Sequence, residues 1–308
     1  MHLLRHIPEL SRLKKPYFIA LGVFDGLHLG HRAVIRECVQ RAHQRNGYAV
    51  ILTFHPHPAK VLRPEVAPLL LTTEQQDYEL FSMLNVDACV VLDFTPELSL
   101  CPAGRFLDQL QEEGSKLLGV IVGPGWQFGR GRTGDFQLLK SWAQDHRVEA
   151  VEVEPVRVDG ELVSSTTIRN HLATGDIPWA NARLGRPYQL VGRVVPGQQL
   201  GAQIGFPTAN LELESELLPA CGVYAARALI EDSVFAAAVN IGTRPTVSVT
   251  DDITVEAHLL DFRGDLYGHH LRLDFLGRIR DEKKFESLEE MQFQLTVDVE
   301  KTRLIAHC

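Results

Sequence analysis

Between residues 16 and 160, short continuous apolar runs alternate with stretches of helical periodicity. Most of the runs at 18–24, 49–54, 88–94, 117–122 and 148–153 are continuously hydrophobic and rich in Val, Ile and Leu. That is the pattern of strands buried on both sides. Helical spacing marks 31–46, 74–84, 103–113 and 136–147 between and beside them. Strand–helix alternation predicts a parallel sheet covered on both faces. Asp159-Gly160 then reads as a hairpin turn, and 165–174 as a short helix opened by hydroxyl residues.

The grammar changes near 175–187, where Gly175, Pro178, Gly185 and Pro187 interrupt the periodicity. A division into domains 1–180 and 181–308 is expected there. Beyond it the chain reads as strands at 188–195, 222–231, 235–241, 254–260 and 270–275, separated by turn signals such as Pro196-Gly197 and Arg263-Gly264-Asp265. Their spacing predicts a small antiparallel barrel. One amphipathic helix closes the chain: Ser287 and Glu290 form a capping box, and Leu288, Met291, Leu295 and Val299 make an apolar stripe expected to pack on the barrel.

A length of 308 residues suits two cores. No apolar run approaches the length of a membrane span, and the N-terminus lacks a signal-peptide core, so no export and no membrane are expected. A net charge of −8 argues against a nucleic-acid partner, while leaving room for a nucleotide held by a local basic cluster. The five cysteines form no CxxC pair and sit mostly among apolar neighbours, which reads as reduced, buried thiols in a cytoplasmic protein without a zinc site.

Residues 22–31, GVFDGLHLGH, stand where the first buried strand becomes a helix. Gly22, Gly26 and Gly30 allow a tight turn and close backbone approach, and a helix N-terminus favours phosphate. His28 and His31, three apart, can then face one anion. On these residues alone a loop-and-cap role competes with the phosphate role.

The string resembles the HxGH signature of the nucleotidyltransferase superfamily, and in full it is similar to the riboflavin-kinase/FAD-synthetase branch. Thr53-Phe54-His55-Pro56-His57-Pro58 resembles that branch's second motif, and Val163-Ser164-Ser165-Thr166-Thr167-Ile168-Arg169 its ISSTxIR-type motif. The resemblance implies that His28 and His31 are catalytic, stabilising charge on ATP phosphates. Gly22, Phe24, Asp25, Gly26, Ser164, Ser165, Thr166 and Arg169 would bind the nucleotide, and His57 the flavin. In residues 122–131, Gly125 replaces a usual acidic or amide residue and Gln127 a common Arg.

In the second half, Gly205-Phe206-Pro207-Thr208-Ala209-Asn210 follows the first barrel strand. Its neutral oxygens suit part of a Mg²⁺ shell, or equally cap the loop's own backbone. GFPTAN resembles the riboflavin-kinase signature, and Asn240-Ile241-Gly242-Thr243-Arg244-Pro245-Thr246, Val255-Glu256-Ala257-His258-Leu259-Leu260-Asp261-Phe262, Asp265-Leu266-Tyr267-Gly268 and residues 280–285 are similar to its later motifs, in order. That resemblance implies metal binding by Thr208 and Asn210 and nucleotide binding by Gly205 and Pro207. It makes Glu256 the catalytic base for the riboflavin 5′-hydroxyl and places Arg280 and Glu282 near the flavin. Read from alternation alone, Glu256 is an outward strand residue of the kind usually just solvated. Leu200 and Ala202 stand where the family often carries basic residues.

The implied fold is an α/β Rossmann-like nucleotidyltransferase domain followed by a small antiparallel β-barrel domain with a C-terminal helix. The implied enzyme phosphorylates riboflavin to FMN and adenylylates FMN to FAD, with ATP as substrate and Mg²⁺ as the ion. Small molecules are the expected partners, and a homo-oligomer is compatible with such a chain. Two rivals remain: a kinase with a weakened or retuned adenylyl step, and a non-catalytic flavin sensor.

Overall fold

The computed structural model describes residues 1–112, 116–197, 200–231, 233–244 and 252–306. Two compact units emerge: Met1–Leu69 with Glu74–Ser164, and Leu70–Thr73 with Ser165–Cys308.

In the first unit the elements run β1 (His2–Leu4), β2 (Tyr17–Leu21), α1 (Leu29–Gln44), β3 (Tyr48–His55), α2 (Pro58–Leu62), α3 (Glu74–Met83), β4 (Ala88–Asp93), α4 (Pro96–Ser99), α5 (Ala103–Glu112), β5 (Leu117–Val122), α6 (Phe136–His146) and β6 (Glu149–Glu152). A short hairpin, β7 (Arg157–Val158) and β8 (Glu161–Leu162), follows. Asp159 (φ 54°) and Gly160 (φ 82°) form its turn, both left-handed as a tight hairpin requires.

The main sheet is parallel throughout, in the order β1-β4-β3-β2-β5-β6. Alternate residues of each central strand serve opposite layers. Tyr17, Ile19 and Leu21 join a core with Leu107 and Leu110 of α5 and Leu139 and Trp142 of α6. Phe18 and Ala20 join the other core, with Ile35 and Cys38 of α1 and Phe81 of α3. Burial on both faces is why these strands read as unbroken apolar runs. Strand β2 pairs with β3 on one side and β5 on the other, so the order reverses between β2 and β5. Ligands of open α/β sheets bind at the carboxyl end of such a switch point.

The second unit runs α7 (Ser165–Ala173), α8 (Ile177–Leu184), β9 (Tyr188–Val195), α9 (Leu200–Gln203), β10 (Ala209–Leu213), β11 (Gly222–Ile230), β12 (Ser233–Arg244), β13 (Asp252–Leu259), β14 (His270–Arg280) and α10 (Leu288–Ala306). Six antiparallel strands close into a barrel, β10-β13-β12-β11-β14-β9. Tyr188, Leu190, Ile241, Val255, Ala257, Leu273 and Phe275 are among the buried residues that alternate along its strands.

Several expectations need correction. Residues 177–184 form a helix: Pro178 occupies its first turn and Gly185 (φ 67°) its left-handed end, so the apparent breakers are start and stop signals. The compact units divide at 164/165 rather than at 180/181. Residues 165–180 group with the barrel because α8 packs on α7, β14 and β9, and the Ala220 amide donates to the Leu172 carbonyl at 3.1 Å. Strands β1 and β10 went unseen, each too short for an alternation signal. Strand β14 runs to Arg280.

On α10 the expected stripe begins badly, because Leu288 is exposed. The buried positions are Asp298, Thr302 and Ala306, and Ala306 packs with Ala236 and Leu260 while Val299 lies against them. Ser287 does cap the helix by accepting from the Glu290 amide at 3.2 Å, but the Glu290 carboxylate accepts from Glu286 rather than Ser287. Glu113, Pro245, Thr246 and Cys308 lie outside the described residues.

Candidate active sites

At the switch point, β2 ends at Leu21 and residues 22–28 turn into α1. His28 is the N-cap of α1, and its Nδ1 accepts from the His31 backbone amide at 3.2 Å. An accepting Nδ1 leaves Nε2 as the protonated nitrogen of the neutral ring. The imidazoles of His28 and His31 stack at 3.6 Å, and Phe24 meets His31 edge-on at 5.4 Å. The cap reading therefore holds for His28, and capping is what sets its ring beside that of His31.

Gly30 makes this stacking possible. A β-carbon there would stand 3.0 Å from His28 Cε1 and 3.2 Å from Nδ1. The Val163 carbonyl would lie 3.7 Å from the same β-carbon, so the chain entering Ser164 passes the start of α1. Asp25 and His28 are buried, Gly26 has φ 78°, and Gly22 closes the turn by donating to Leu52 at 3.2 Å. Ser165, Thr166 and Arg169 lie on α7, in the second unit.

A cavity of about 870 Å³ opens in the first unit beside Val23. Phe54, Phe94, Phe106, Trp126 and Phe128 line it, with His57, Arg63, Ser99, Gln127 and Arg132 among its polar groups. Trp126 stacks on Phe128 at 4.2 Å, and Phe54 meets Phe94 edge-on at 5.8 Å. His57 caps α2, its Nδ1 accepting from Ala59 at 3.1 Å. Cys101 also lines the space, and burial pushes its thiol up. Phe94 and Phe106 were not singled out from sequence, although Phe54 and Phe94 stand at the carboxyl ends of adjacent strands, where such a signal could have been sought.

Gly125 sits on the rim with φ 66° and open space around its β-position. Asn and Asp are the side chains that best tolerate this conformation. An Asn or Asp could therefore take the Gly125 conformation with room for its side chain. The Gly125 amide donates to Glu152 at 3.2 Å.

On the barrel, Asn210 of β10 and Asn240 of β12 both pair in register with Glu256 of β13. The Thr208 hydroxyl donates to Glu256 Oε2 at 3.3 Å. Asn210 is thus a strand residue rather than part of a loop. Glu256 faces outward, as alternation requires, yet it is half-buried among these neighbours rather than simply solvated. Hydroxyl, amide and carboxylate oxygens are hard donors whose chemistry fits Mg²⁺. The Glu282 carboxylate rests against Gly242, close to the Asn240 amide.

Arg280 meets a carboxylate on α10. Its Nε and Nη2 lie 2.9 and 2.8 Å from Asp298 Oδ2, and Asp298 is 1% exposed. Asn240 was quoted from sequence without a role, and its place beside Glu256 comes only from the strand register.

A histidine-capped helix start at a sheet switch point, joined in one chain to an acid–hydroxyl–amide cluster on a barrel, suits an ATP-dependent transferase. Family models divide the chain the same way: FAD synthetase matches residues 10–167 and riboflavin kinase residues 184–306. The chain belongs to the bifunctional riboflavin kinase/FMN adenylyltransferase family. A protein of that name from Pseudomonas fluorescens is 34% identical over 99% of this chain and 98% of its own. Those from Escherichia coli K12 and Bacillus subtilis are 33% and 32% identical, over 97% and 91% of this chain and 96% and 89% of theirs.

A crystal structure described as a macrolide-efflux protein from Streptococcus pneumoniae matches with a TM-score of 0.88 and 27% identity, covering 98% of this chain and 99% of that one. Among the described residues of the present chain, no helix is long and apolar enough to cross a membrane.

Proposed function

We propose that the barrel transfers the γ-phosphoryl group of ATP to the 5′-hydroxyl of riboflavin, and that the first unit joins the resulting FMN to the adenylyl group of a second ATP. The observation that carries the reading is the Glu256 carboxylate, half-buried and in register with Asn210, with the Thr208 hydroxyl at 3.3 Å. Glu256 accepts the proton of the attacking hydroxyl as its oxygen bonds to the γ-phosphorus and ADP departs. Thr208 and Asn210 hold Mg²⁺, which supplies charge neutralisation on the phosphates when bound. Gly205 and Pro207 shape the loop over the nucleotide, and Glu282 meets the flavin. Arg280 acts by holding the strand end that carries Glu282, through Asp298 on α10.

In the first unit, a phosphate oxygen of FMN attacks the α-phosphorus of ATP and pyrophosphate leaves. No protein nucleophile is needed, so positioning and charge stabilisation carry the step. His28, through Nε2–H, and His31 donate to the phosphates at the start of α1. Gly22, Phe24, Asp25, Gly26 and Ser164 shape the nucleotide pocket from this unit. The aromatic cavity takes the isoalloxazine ring, with His57 at its edge. The reaction is placed in the cytoplasm, where ATP and reduced thiols coexist; the four described cysteines are free.

Incubation of the protein with riboflavin, ATP and Mg²⁺, followed by chromatography, tests the reading: FMN appears first and FAD follows. FMN without FAD identifies a kinase that has lost the adenylyl step. Flavin binding with neither product identifies a sensor.

A further inference from the structure

His258 stands two residues beyond Glu256 on β13, on the same outward face of the barrel. Its Nδ1 lies 2.8 Å from the Pro207 carbonyl oxygen. A carbonyl only accepts, so Nδ1 carries the proton and donates. Phe206 packs against the imidazole edge-on at 5.6 Å. The next residue after Pro207 is Thr208, whose hydroxyl reaches Glu256, and the next pair along is Ala209 with Ala257.

The approach to Thr208 has few backbone anchors. Phe206 donates to Gly201 at 2.8 Å and Gly205 to Ala202 at 3.3 Å, both within the turn that leaves α9. Pro207 has no N–H to contribute. The Pro207 carbonyl, accepting from β13, is therefore the point at which the loop is fastened to the strand that carries the base.

We infer that His258 is a positioning residue for phosphoryl transfer: by donating Nδ1–H to the Pro207 carbonyl it sets the Thr208 hydroxyl, and hence the metal–nucleotide, against Glu256. Here the inference rests on the kinase reading of the barrel, but the fastening of the loop is observable without activity. The imidazole acts through the loop rather than on the reacting atoms. Asn can replace its role, because the Asn amide nitrogen falls near the position of Nδ1 and donates to the same carbonyl.

The experiment compares the full chain with His258→Ala and His258→Asn. Hydrogen exchange of the 203–208 backbone amides reads the fastening: exchange quickens in His258→Ala and returns toward the parent rate in His258→Asn. Kinase kinetics then read its use. In His258→Ala the KM for ATP in FMN formation rises about tenfold, as loss of one well-aligned hydrogen bond implies. It recovers to within about threefold in His258→Asn, and riboflavin binding followed by flavin fluorescence stays at the parent affinity in both. Unchanged exchange in His258→Ala overturns the inference, as does equal impairment of the two variants. Loss of riboflavin affinity in step with the ATP effect also overturns it, because the residue would then be structural. A parent protein with His258-dependent loop exchange but no FMN product refutes the kinase reading, while the fastening stands.

Discussion

Arg280 and Asp298 form a bidentate ion pair, Nε and Nη2 against one carboxylate, with the aspartate all but sealed from water. Gln294 also donates to this carboxylate, at 3.0 Å. Removing one member of such a pair leaves the other charged and poorly solvated. Asp298→Ala is expected to cost the barrel unit about 3 kcal/mol, with little effect on the first unit. Denaturant unfolding followed by separate probes for the two units measures this, and FMN formation should fall with barrel stability.

Glu256→Gln keeps size and hydrogen bonding while removing the base. FMN formation is expected to fall by about 10²–10⁴-fold. FAD formation from supplied FMN should remain at the parent rate. Both are read from one chromatographic assay, and comparable loss of the two activities would count against Glu256 as a base confined to the kinase step.

Gly30→Ala separates stability from positioning. Alanine is the better helix former by about 1 kcal/mol, so thermal stability should hold or rise. The added methyl, 3.0 Å from His28 Cε1, displaces the imidazole by a few tenths of an ångström. FAD formation should drop at least about tenfold while FMN formation is unchanged.

Trp126→Ala removes half of the stacked Trp126–Phe128 pair at the cavity. The KM for FMN in the adenylyl step should rise by about tenfold or more, consistent with the energy of base–aromatic stacking. Gly125→Asn, by contrast, restores an amide at a left-handed position with open space. It should fold as the parent does, and its FAD rate shows whether the missing side chain matters.

Burial raises the Cys38 and Cys89 thiols from 9.0 to about 12. In the native protein at pH 8 both should resist alkylation, whereas Cys101 and Cys221 are accessible enough to react; mass mapping after iodoacetamide checks this. The unfolded chain ionises these thiols above pH 9 and the folded one does not, so the unfolded state binds fewer protons there. Stability is therefore lost as pH rises from about 9 to about 12.

How much was legible depends on how local each signal is. The central strands of the parallel sheet and the helices that cover them were readable because burial on two faces writes itself into consecutive residues. The switch-point histidines were readable because a glycine turn between a strand and a helix is a local event. Strand β1 was not, since three residues carry no period and its place in the sheet comes from pairing with β4. Helix α8 was mistaken for a break because Pro and Gly mean opposite things at the start, middle and end of a helix.

By itself, the sequence determined the strand–helix alternation and the switch to antiparallel strands, and through its family resemblance it marked His28, His31, Thr208, Asn210 and Glu256 as candidates for phosphate chemistry. The tertiary structure alone decided what each of them meets. Barrel closure brings Asn210 and Asn240, 46 and 16 residues before Glu256 along the chain, into one row with it. It also gives Arg280 the Asp298 carboxylate as a partner, and His258 the Pro207 carbonyl to hold. Periodicity fixes which face a side chain takes, but its partner on that face depends on strand order and register, which only long-range pairing sets.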